Sequence, residues 1–305
     1  MEKVYVVTPV YEDEPSFKLL VKNLKTVLGQ RLYLIAIDDG SLSSRLARYM
    51  GVYGAPGEVV RLRRNFGHQI ALAVGLRVAA SKIGSKEVVV VMDSDGEDDP
   101  QAIPLLLDGL AMDRVEICVA LRGKRSEGAG FRIGYIIYRF LFRLLCGSSL
   151  GFGNFMALSS AALRKLDMME GIFTHFAASI LLSNMKISGR RISRAPRYSG
   201  HTKMNLSSLV LHGLRAMTVF SDRILVRVCL ISAVIIVAGG AGISAAIIAK
   251  TMGYALPGWT SMVVLALGLI MFQAATATLI AIILSDRQSR HFCQGGISVD
   301  KYIEK

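Results

Sequence analysis

Two long uncharged stretches constrain the fold of this chain more than any other feature of its sequence. Val228–Ala249 and Trp259–Ser285 contain no Asp, Glu, Lys or Arg. Each is longer than the roughly 20 residues that a helix needs to cross the hydrocarbon core of a bilayer. The hydrophobic fraction of 52% is also high for a soluble protein. The sequence therefore predicts a C-terminal two-helix transmembrane hairpin, with helices over 225–250 and 259–285.

The basic residues around the hairpin predict its orientation. The connecting loop Lys250–Gly258 carries one basic residue, whereas both outer flanks carry several. Because basic loops stay on the cytoplasmic side, we expect an integral membrane protein whose large N-terminal domain and both termini are cytoplasmic. No cleavable export signal is visible, since the chain begins with the strand pattern Val4–Thr8.

Small residues give the first predicted span a distinct face, formed by Gly239, Gly240 and Gly242 with Ala245 and Ala246. Such a face permits close helix packing, either within the hairpin or between the subunits of a homo-oligomer. Small residues are also tolerated in apolar helices without any packing role. The sequence does not choose among these three interpretations.

The residues before the hairpin alternate between strand and helix patterns. Strands are predicted at Val4–Thr8, Tyr33–Ile37, Glu58–Leu62, Val88–Met92 and Val115–Leu121, and helices at Ser16–Leu28, Gln69–Ala80 and Pro100–Ala111. Ser16 is the expected N-cap of the first helix. This alternation favours an α/β fold with a mostly parallel sheet and helices on both faces. We expect this domain over 1–204, a juxtamembrane helix over 205–224 and a cytosolic tail over 286–305.

Residues 131–145 are strongly apolar but contain Arg132, Arg139 and Arg143. The segment is too short to span a bilayer and suits a helix lying in the membrane interface. A core helix whose arginines reach solvent is the alternative. The net charge of +13 fits an anionic membrane or lipid headgroup better than nucleic acid once the chain is membrane-anchored.

Two carboxylates follow the predicted strand Val88–Met92, in the sequence Asp93-Ser94-Asp95. The carboxyl ends of parallel strands form the edge of the sheet where ligands bind. Two hard oxygen ligands there suit Mg²⁺ or Mn²⁺, which usually carries a polyphosphate. A solvated turn is the alternative interpretation of a bare Asp-x-Asp.

Two further polar clusters follow predicted strands, at Pro9-Val10-Tyr11-Glu12 and Asp38-Asp39-Gly40-Ser41. In a parallel sheet these loops converge with Asp93-Ser94-Asp95 on one crevice. A nucleotide needs acceptors for its base and ribose, which Asp39 and Glu12 can supply. It also needs a metal for its phosphates.

Together these blocks resemble glycosyltransferase family 2, which has a GT-A (Rossmann-like) fold. The resemblance is strongest to the polyprenyl-phosphate glycosyltransferase branch, which includes dolichol-phosphate mannosyltransferase. It extends to Arg64-Asn65-Phe66-Gly67-His68-Gln69, Asp99-Pro100, Gly200-His201-Thr202-Lys203 and the C-terminal hairpin.

The resemblance implies an inverting transfer of a sugar from a UDP- or GDP-linked donor to an undecaprenyl or dolichyl phosphate. It implies that Mg²⁺ or Mn²⁺ is held by Asp93 and Asp95, with Glu97 where the family often has Gln. The donor-binding residues are expected to be Pro9, Tyr11, Glu12, Asp39, Asn65, Gly67, His68 and Asp93. His68 is expected to shape the donor loop, whereas the role of His201 stays open.

The acceptor phosphate needs cations to orient it beside an anionic donor. The candidates are Arg122, Arg132, Arg139, Arg197 and Lys203, with Arg125 as a further basic residue. A phosphomonoester has a second pKa near ~6, so it is largely dianionic at neutral pH and needs little help from a base. Any one of these arginines is equally explained as a solvated or lipid-facing charge.

The chain departs from the branch at Gly153-Asn154-Phe155-Met156. The branch commonly has Gly-Asp-Phe-Arg there, and its Asp has been proposed as catalytic. Asn154 cannot act as a base, so either the base is dispensable or the acceptor differs. We expect Asn154 to orient the acceptor, and we assign Asp93, Asp95, Arg122 and Asn154 to the catalytic set.

Two other functions remain open. A processive polysaccharide synthase usually carries a Gln-x-x-Arg-Trp block, but the single Trp of this chain, Trp259, lies beside a predicted span. A catalytically silent membrane protein that binds lipid or a partner would not need the intact carboxylate clusters.

Overall fold

A computed structural model describes residues 2–122, 129–199, 206–292 and 299–304 of the chain. These residues form two compact units. The first unit draws on Met1–Tyr135, Leu150–Val219 and Ile297–Lys305, and the second on Ile136–Ser149 and Phe220–Gly296.

One mixed sheet forms the centre of the first unit. Its strands are β1 (Val4–Val10), β2 (Leu32–Asp38), β3 (Gly57–Arg61), β4 (Val88–Val91), β5 (Ile117–Arg122), β6 (Met156–Ser159) and β7 (Ile187–Ile192). The strand order is β3-β2-β1-β4-β6-β5-β7. Strand β6 runs antiparallel to β4 and β5, whereas the other pairs are parallel. The predicted mostly parallel α/β fold is confirmed.

The helices alternate with these strands over the first part of the chain. Those before the hairpin are α1 (Glu14–Leu28), α2 (Leu46–Val52), α3 (His68–Ala80), α4 (Ile103–Met112), α5 (Ala129–Cys146), α6 (Ser160–Asp167), α7 (Phe176–Leu182) and α8 (Leu206–Thr218). Short 3₁₀ turns lie at Gly29–Arg31, Pro100–Ala102, Glu170–Phe173 and Val299–Lys301.

Helix α1 begins two residues earlier than predicted. Its N-cap is Asp13, whose Oδ1 accepts a hydrogen bond from the Ser16 N–H at 3.3 Å. Ser16 itself is buried in the first turn, so the prediction that it caps the helix is wrong. Pro15 explains the difference. Proline favours the first turn of a helix, so the helix begins before Ser16.

Both faces of the sheet are covered, so its central strands are apolar on both sides. Tyr5 and Val7 belong to the core on the face that includes residues of α3. Val4 and Val6 belong to the core on the opposite face, with residues of α1. Packing on both faces fixes the strands in register, which places Val10 beside Asp38 and Val7 beside Val91.

The second unit contains two long apolar helices that pack on each other, α9 (Ser221–Thr251) and α10 (Trp259–Phe292). Within Ser221–Thr251 and Trp259–Ile283, windows of 18 residues have mean hydropathies of 2.5 and 2.2, and by length and composition both helices can cross a membrane. Few of their described side chains are buried. These features indicate membrane association.

Two of the three glycines in α9 face α10. A Cβ on Gly239 would lie 2.7 Å from Met271 Cγ, and one on Gly242 would lie 2.9 Å from Leu267 Cδ1. A Cβ on Gly240 would meet nothing within 4 Å. Of the three interpretations of the small-residue face, packing within the hairpin therefore accounts for Gly239 and Gly242.

Candidate active site

The ends of β1, β2 and β4 meet at one edge of the sheet. The Asp39 N–H donates to Val10 O at 2.9 Å, and the Met92 N–H donates to Val7 O at 3.2 Å. The backbone ladder therefore continues past each strand, and the three polar loops leave the sheet side by side. This is the edge at which parallel sheets bind ligands.

Asp39 joins the loop after β2 to residues 65–67, which follow β3. Its side chain is 2% exposed, and its two oxygens accept the Phe66 and Gly67 N–H groups at 2.8 and 3.0 Å. Burial raises the pKa of the Asp39 carboxyl, and these two hydrogen bonds oppose the rise. Each carboxylate oxygen has a second lone pair, so Asp39 can hold the 65–67 loop and still accept from a ligand.

The turn after Asp39 requires glycine. Gly40 has φ +75°, and a Cβ there would lie 2.3 Å from the backbone carbon of Arg64. The close approach of the two backbones brings Asn65 and Gly67 next to Asp39. Only a residue without a side chain fits both the backbone angle and the space.

Glu12 links the first polar loop to the second. Its N–H donates to Ser41 Oγ at 3.1 Å, and its Oε1 accepts from the Leu42 N–H at 2.6 Å. It has φ +49°, an uncommon angle for a residue with a side chain. Glu12 therefore shapes the loop after β1, and its carboxylate is already engaged by the backbone.

A cavity of about 190 Å³ opens between these loops. It is lined by Pro9, Val10, Tyr11, Asp39, Asn65, Gly67 and His68. The structure thus brings together six of the residues that we predicted to bind the donor. The other two, Glu12 and Asp93, do not line this cavity, and Asp93 lies beside it against His68.

His68 connects the cavity to the first aspartate of the Asp-x-Asp pair. Its Nε2 lies 3.5 Å from Asp93 Oδ1 and 2.8 Å from the amide group of Asn154. The Asn154 atom in contact is its amide Nδ2, which can only donate, so we assign Nε2 as the acceptor and place the ring hydrogen on Nδ1. Asn154 therefore lies within the predicted catalytic cluster and contacts it through His68.

Asp93 has an unusual environment. Its N–H donates to Asp98 Oδ2 at 3.0 Å. Its Oδ1 is buried and has no hydrogen-bond partner among the residues that the structure describes. A buried carboxylate oxygen without a partner is costly, and a cation is the partner it would accept most favourably.

Asp95 is held by a cation of the chain itself. Its Oδ2 lies 2.9 Å from Arg197 Nη2, and its Oδ1 accepts the Glu97 N–H at 3.0 Å. Burial raises the pKa of the Asp95 carboxyl, the charges of Asp93 and Glu97 raise it further, and Arg197 lowers it. The site therefore concentrates negative charge, which Arg197 partly neutralises.

Glu97 pairs with two arginines, its Oε1 with Arg197 Nε at 2.9 Å and its Oε2 with Arg194 Nη1 at 2.6 Å. Glu97 was expected to assist in metal binding, and that role stays a prediction. Among the described residues, no group of three or more His, Cys, Asp or Glu side chains converges as a metal site.

The residues Arg194–Ser199, here called the arginine segment, lie along the Asp-x-Asp loop. The Tyr198 N–H donates to Asp95 O at 2.9 Å, and the Ala195 N–H donates to Glu97 O at 3.2 Å. The Tyr198 ring covers Gly96, where a Cβ would lie 2.6 Å from the ring. Backbone and side chains together hold Arg197 over the carboxylates.

The donor set fits a divalent cation. Asp93 and Asp95 supply hard oxygen ligands on one loop, and Asp93 Oδ1 lacks a hydrogen-bond partner among the described residues. Mg²⁺ is commonly held by one or two carboxylates together with substrate phosphates. Two carboxylates beside a cavity are therefore sufficient from the protein side.

The described structure does not test the other predicted acceptor residues, so their role stays a prediction. Arg139 belongs to the second unit. Arg122 ends β5 and Arg132 lies in α5, with only their backbones described. Lys203, His201 and Arg125 lie outside the described residues.

Sequence reasoning missed Arg194, Tyr198 and Tyr302. The first two lie on the arginine segment, where the sequence offered only a cluster of basic residues as a signal. Tyr302 lies near the end of the chain, and its ring packs 5.0 Å from Phe66 beside the cavity. The apolar residues Val299, Tyr302 and Ile303 formed too short a pattern to indicate that the tail packs on the domain.

The family model for glycosyl transferase family 2 matches residues 5–173, more than half of the chain. The chain belongs to glycosyltransferase family 2. The matched range contains every loop that lines the cavity and both carboxylates of the Asp-x-Asp pair. The resemblance predicted from the sequence is confirmed.

Curated relatives of this family 2 chain include polyprenyl-phosphate sugar transferases. It is 29% identical over 133 residues to the dodecaprenyl-phosphate galacturonate synthase of Rhizobium johnstonii, covering 42% of this chain and 38% of the relative. It is 32% identical over 130 residues to the undecaprenyl-phosphate 4-deoxy-4-formamido-L-arabinose transferase of Aeromonas hydrophila, covering 41% and 38%. The matches thus span about two fifths of each relative.

Solved structures share the fold of this family 2 chain. The glucosyl-3-phosphoglycerate synthase of Mycobacterium tuberculosis, in complex with Mn²⁺, UDP and glucosyl-3-phosphoglycerate, superposes with a TM-score of 0.51 at 17% identity. The match covers 73% of this chain and 80% of that chain. The similarity supports the predicted GT-A type of fold.

Proposed function

We propose that this chain transfers a sugar from a nucleotide diphosphate sugar to the phosphate of a polyprenyl lipid at the cytoplasmic face of a membrane. The observation that carries the proposal is the position of Asp93, whose buried Oδ1 lies 3.5 Å from His68, a lining residue of the cavity. Family membership provides the reaction class, and the two apolar helices provide the link to lipid.

The cavity takes the nucleoside part of a UDP- or GDP-linked donor. Asp39 and Asn65 offer acceptors for the base and ribose, and Pro9 and Tyr11 offer apolar surface. The fold relative from Mycobacterium tuberculosis was captured with UDP and Mn²⁺, which supports a donor of this chemistry.

Asp93 and Asp95 would hold Mg²⁺ or Mn²⁺, with Glu97 next to them. When bound, the ion neutralises the charge that develops on the departing diphosphate. Residues of the chain position these carboxylates: Asp98 accepts the Asp93 N–H, and the Glu97 N–H donates to Asp95.

The transfer is a single displacement. An oxygen of the lipid phosphate attacks the anomeric carbon as the bond to the diphosphate breaks, and the nucleoside diphosphate leaves with the electron pair. One displacement inverts the anomeric centre. The nucleophile is already largely dianionic, since its second pKa is near ~6, so Arg197 acts by orienting it, and Asn154 need not take a proton.

We infer that both ends of the hairpin lie on one side of the membrane. The chain leaves the first unit before α9 and returns to it after α10, as two crossings require. The flanking basic residues favour the cytoplasmic side. We retain the predicted organisation, with a catalytic domain up to 204, an interfacial helix at 131–145 and a juxtamembrane helix at 205–224.

The test is transfer by the purified full chain in detergent with Mn²⁺, a panel of UDP- and GDP-sugars, and undecaprenyl or dolichyl phosphate. We expect one donor to give a single lipid-linked sugar, detected by thin-layer chromatography. Asp95→Asn should lower the rate at least ~100-fold, because it removes a ligand of the charge-neutralising ion. Products of growing length would instead indicate a processive synthase.

Asp113→Asn is the matched control. Asp113 is a carboxylate of the same unit that pairs with Arg190 at 2.8 Å and takes no part in the site. The Asp113→Asn substitution should leave the rate of sugar transfer unchanged. Full activity in a folded Asp95→Asn protein would contradict the metal assignment.

A further inference from the structure

The chain beyond α10 returns to the first unit and contacts the loop that binds Asp39. Residues 299–304, here called the return segment, begin with a 3₁₀ turn at Val299–Lys301. Ile303 then forms an antiparallel bridge with Leu62, the residue after β3. Leu62 is 1% exposed, so this bridge lies against the core and not on a loose surface.

Backbone hydrogen bonds and an ion pair hold the return segment in place. The Arg63 N–H donates to Tyr302 O at 2.9 Å, and the Glu304 N–H donates to Arg61 O at 2.9 Å. Arg61 Nε also lies 3.0 Å from Glu304 Oε2. Strand β3 is the edge of the sheet, and a paired edge is protected from pairing with another chain.

The Tyr302 ring lies between two aromatic rings of the first unit. It meets Phe66 edge-on, with centroids 5.0 Å apart and planes at 89°. It stacks on Phe173 at 5.9 Å and 21°. Both geometries are favourable for aromatic pairs, so the Phe66 ring is held by Tyr302 while its backbone N–H is held by Asp39.

The contacts form a short chain from Tyr302 to the cavity. Phe66 gives its N–H to Asp39 Oδ1 at 2.8 Å. Its neighbours in sequence, Asn65 and Gly67, line the cavity. A shift of the Phe66 ring therefore moves the loop that shapes the donor pocket.

We propose that Tyr302 is a positioning residue for donor binding, which it supports by fixing the 62–67 loop through Phe66. The inference rests on the proposed function, because it takes the cavity to be the donor pocket whose nucleotide affinity Tyr302 raises. The plainer alternative is that the return segment only adds stability to the fold, so the test must separate affinity from stability.

The first measurement is calorimetry of the full chain in detergent, with UDP and with GDP in the presence of Mn²⁺. Tyr302→Ala should weaken nucleotide binding about five- to twentyfold, the usual size of coupling between linked sites. Tyr302→Phe should restore wild-type affinity, because it keeps both ring contacts.

Tyr33→Ala is the matched control. Tyr33 is another partly buried aromatic that packs against the same core cluster. It lies near the beginning of β2 and packs on Tyr5 with ring centroids 4.9 Å apart and planes tilted by 45°, away from the polar loops. Its loss should lower the melting temperature without changing nucleotide affinity.

The second measurement is hydrogen exchange of the Phe66 and Gly67 amides. Tyr302→Ala should speed exchange at these amides relative to the rest of the unit, whereas Tyr33→Ala should not. If Tyr302→Ala does not fold, Tyr302→Leu replaces it, because leucine keeps apolar volume and loses the ring geometry.

Unchanged affinity and unchanged exchange in a folded variant would overturn the proposal. Equal loss of affinity in Tyr302→Ala and Tyr33→Ala would also overturn it, in favour of a purely stabilising role. If the wild-type chain binds neither UDP nor GDP, the proposed function fails, and exchange alone decides whether Tyr302 fixes the loop.

Discussion

Arg197 occupies the acidic side of the site, with its Nη2 2.9 Å from Asp95 Oδ2 and its Nε 2.9 Å from Glu97 Oε1. An arginine so placed satisfies the carboxylates in the way that a bound cation would. A divalent ion held by Asp93 and Asp95 would compete with Arg197 for the Asp95 carboxylate. A displaced guanidinium is then available for the acceptor phosphate.

Arg197→Gln should bind Mn²⁺ about tenfold more tightly than the wild-type chain, because a competing positive charge is removed. Transfer to the lipid should nevertheless fall, since the phosphate loses a cation. Free Mn²⁺ can be followed by its paramagnetic resonance signal. Arg190→Gln, which breaks the pair with Asp113, should change neither quantity; weaker Mn²⁺ binding in Arg197→Gln would refute the competition.

Gly40→Ala should lower the free energy of unfolding by about 3 kcal/mol, since it adds both backbone strain and overpacking. Its Cβ would lie 2.3 Å from the backbone of Arg64 at φ +75°. Gly54→Ala is the control, because Gly54 has φ +56° with nothing within 4 Å, and it should cost about 1 kcal/mol. Denaturant titration of both variants measures the difference, and equal costs would contradict the close approach.

Asn154→Asp tests whether a carboxylate base is needed. Because the acceptor phosphate is already dianionic, we expect kcat to change less than about tenfold, whereas a restored general base would contribute about 10²-fold or more. Asn154→Ala should lower kcat modestly, as it removes the contact with His68 Nε2 at 2.8 Å. A hundredfold gain in Asn154→Asp would show that the missing base limits the reaction.

His175 and His212 predict an acid-sensitive contact in the first unit. Their Nε2 atoms are 3.1 Å apart, and His175 Nδ1 accepts the Ala178 N–H, so His175 Nε2 carries the hydrogen. Burial and the nearby His212 lower the pKa of His175 from 6.5 to about 3. Between these two pKa values, His175 is therefore protonated in the unfolded chain and neutral in the folded protein.

The stabilisation from neutral His175 is complete above its unfolded pKa and declines as the pH falls from about 6.5 towards 3, by at most about 1.4 kcal/mol per pH unit. His175→Asn keeps an N-cap side chain and should flatten this slope. Melting temperatures at pH 8 give the intrinsic cost of the substitution, and those at pH 5 give the titration. Parallel pH curves for both proteins would count against the assignment.

Gly239→Leu should separate α9 from α10, because its side chain meets Met271. The expected loss is about 1–3 kcal/mol, the usual cost of overpacking. Gly240→Leu, at a position with open space, should be tolerated. Thermal stability in detergent distinguishes the two, and sensitivity at Gly240 but not at Gly239 would indicate packing between subunits instead.

The parts of the fold that follow from local pattern were predictable. The β-branched runs at β1, β2 and β4 and the uncharged helices α9 and α10 are recorded in the sequence itself, because burial on both faces or in lipid demands apolar residues. The convergence of Asp39 and Asp93 follows from strand direction. Strand β6 was missed because its four residues include no β-branched residue, unlike the equally short β4.

The parts that depend on distant contacts were not predictable from a single sequence. Nothing near Arg197 in the chain shows that its partners are Asp95 and Glu97, about a hundred residues earlier. Nothing near Tyr302 shows that it pairs with Phe66. Such pairings are set by how the sheet closes, and a basic or aromatic side chain alone fits many partners.

The return segment also matters for the design of truncated fragments of this enzyme. A water-soluble fragment that stops before α9 would keep every residue lining the cavity but would lose Val299–Glu304 and leave the edge of β3 open. An open edge invites self-association. Poor activity or aggregation of such a fragment would then reflect a missing piece of the domain and not a requirement for lipid, and a short linker in place of the hairpin should restore it.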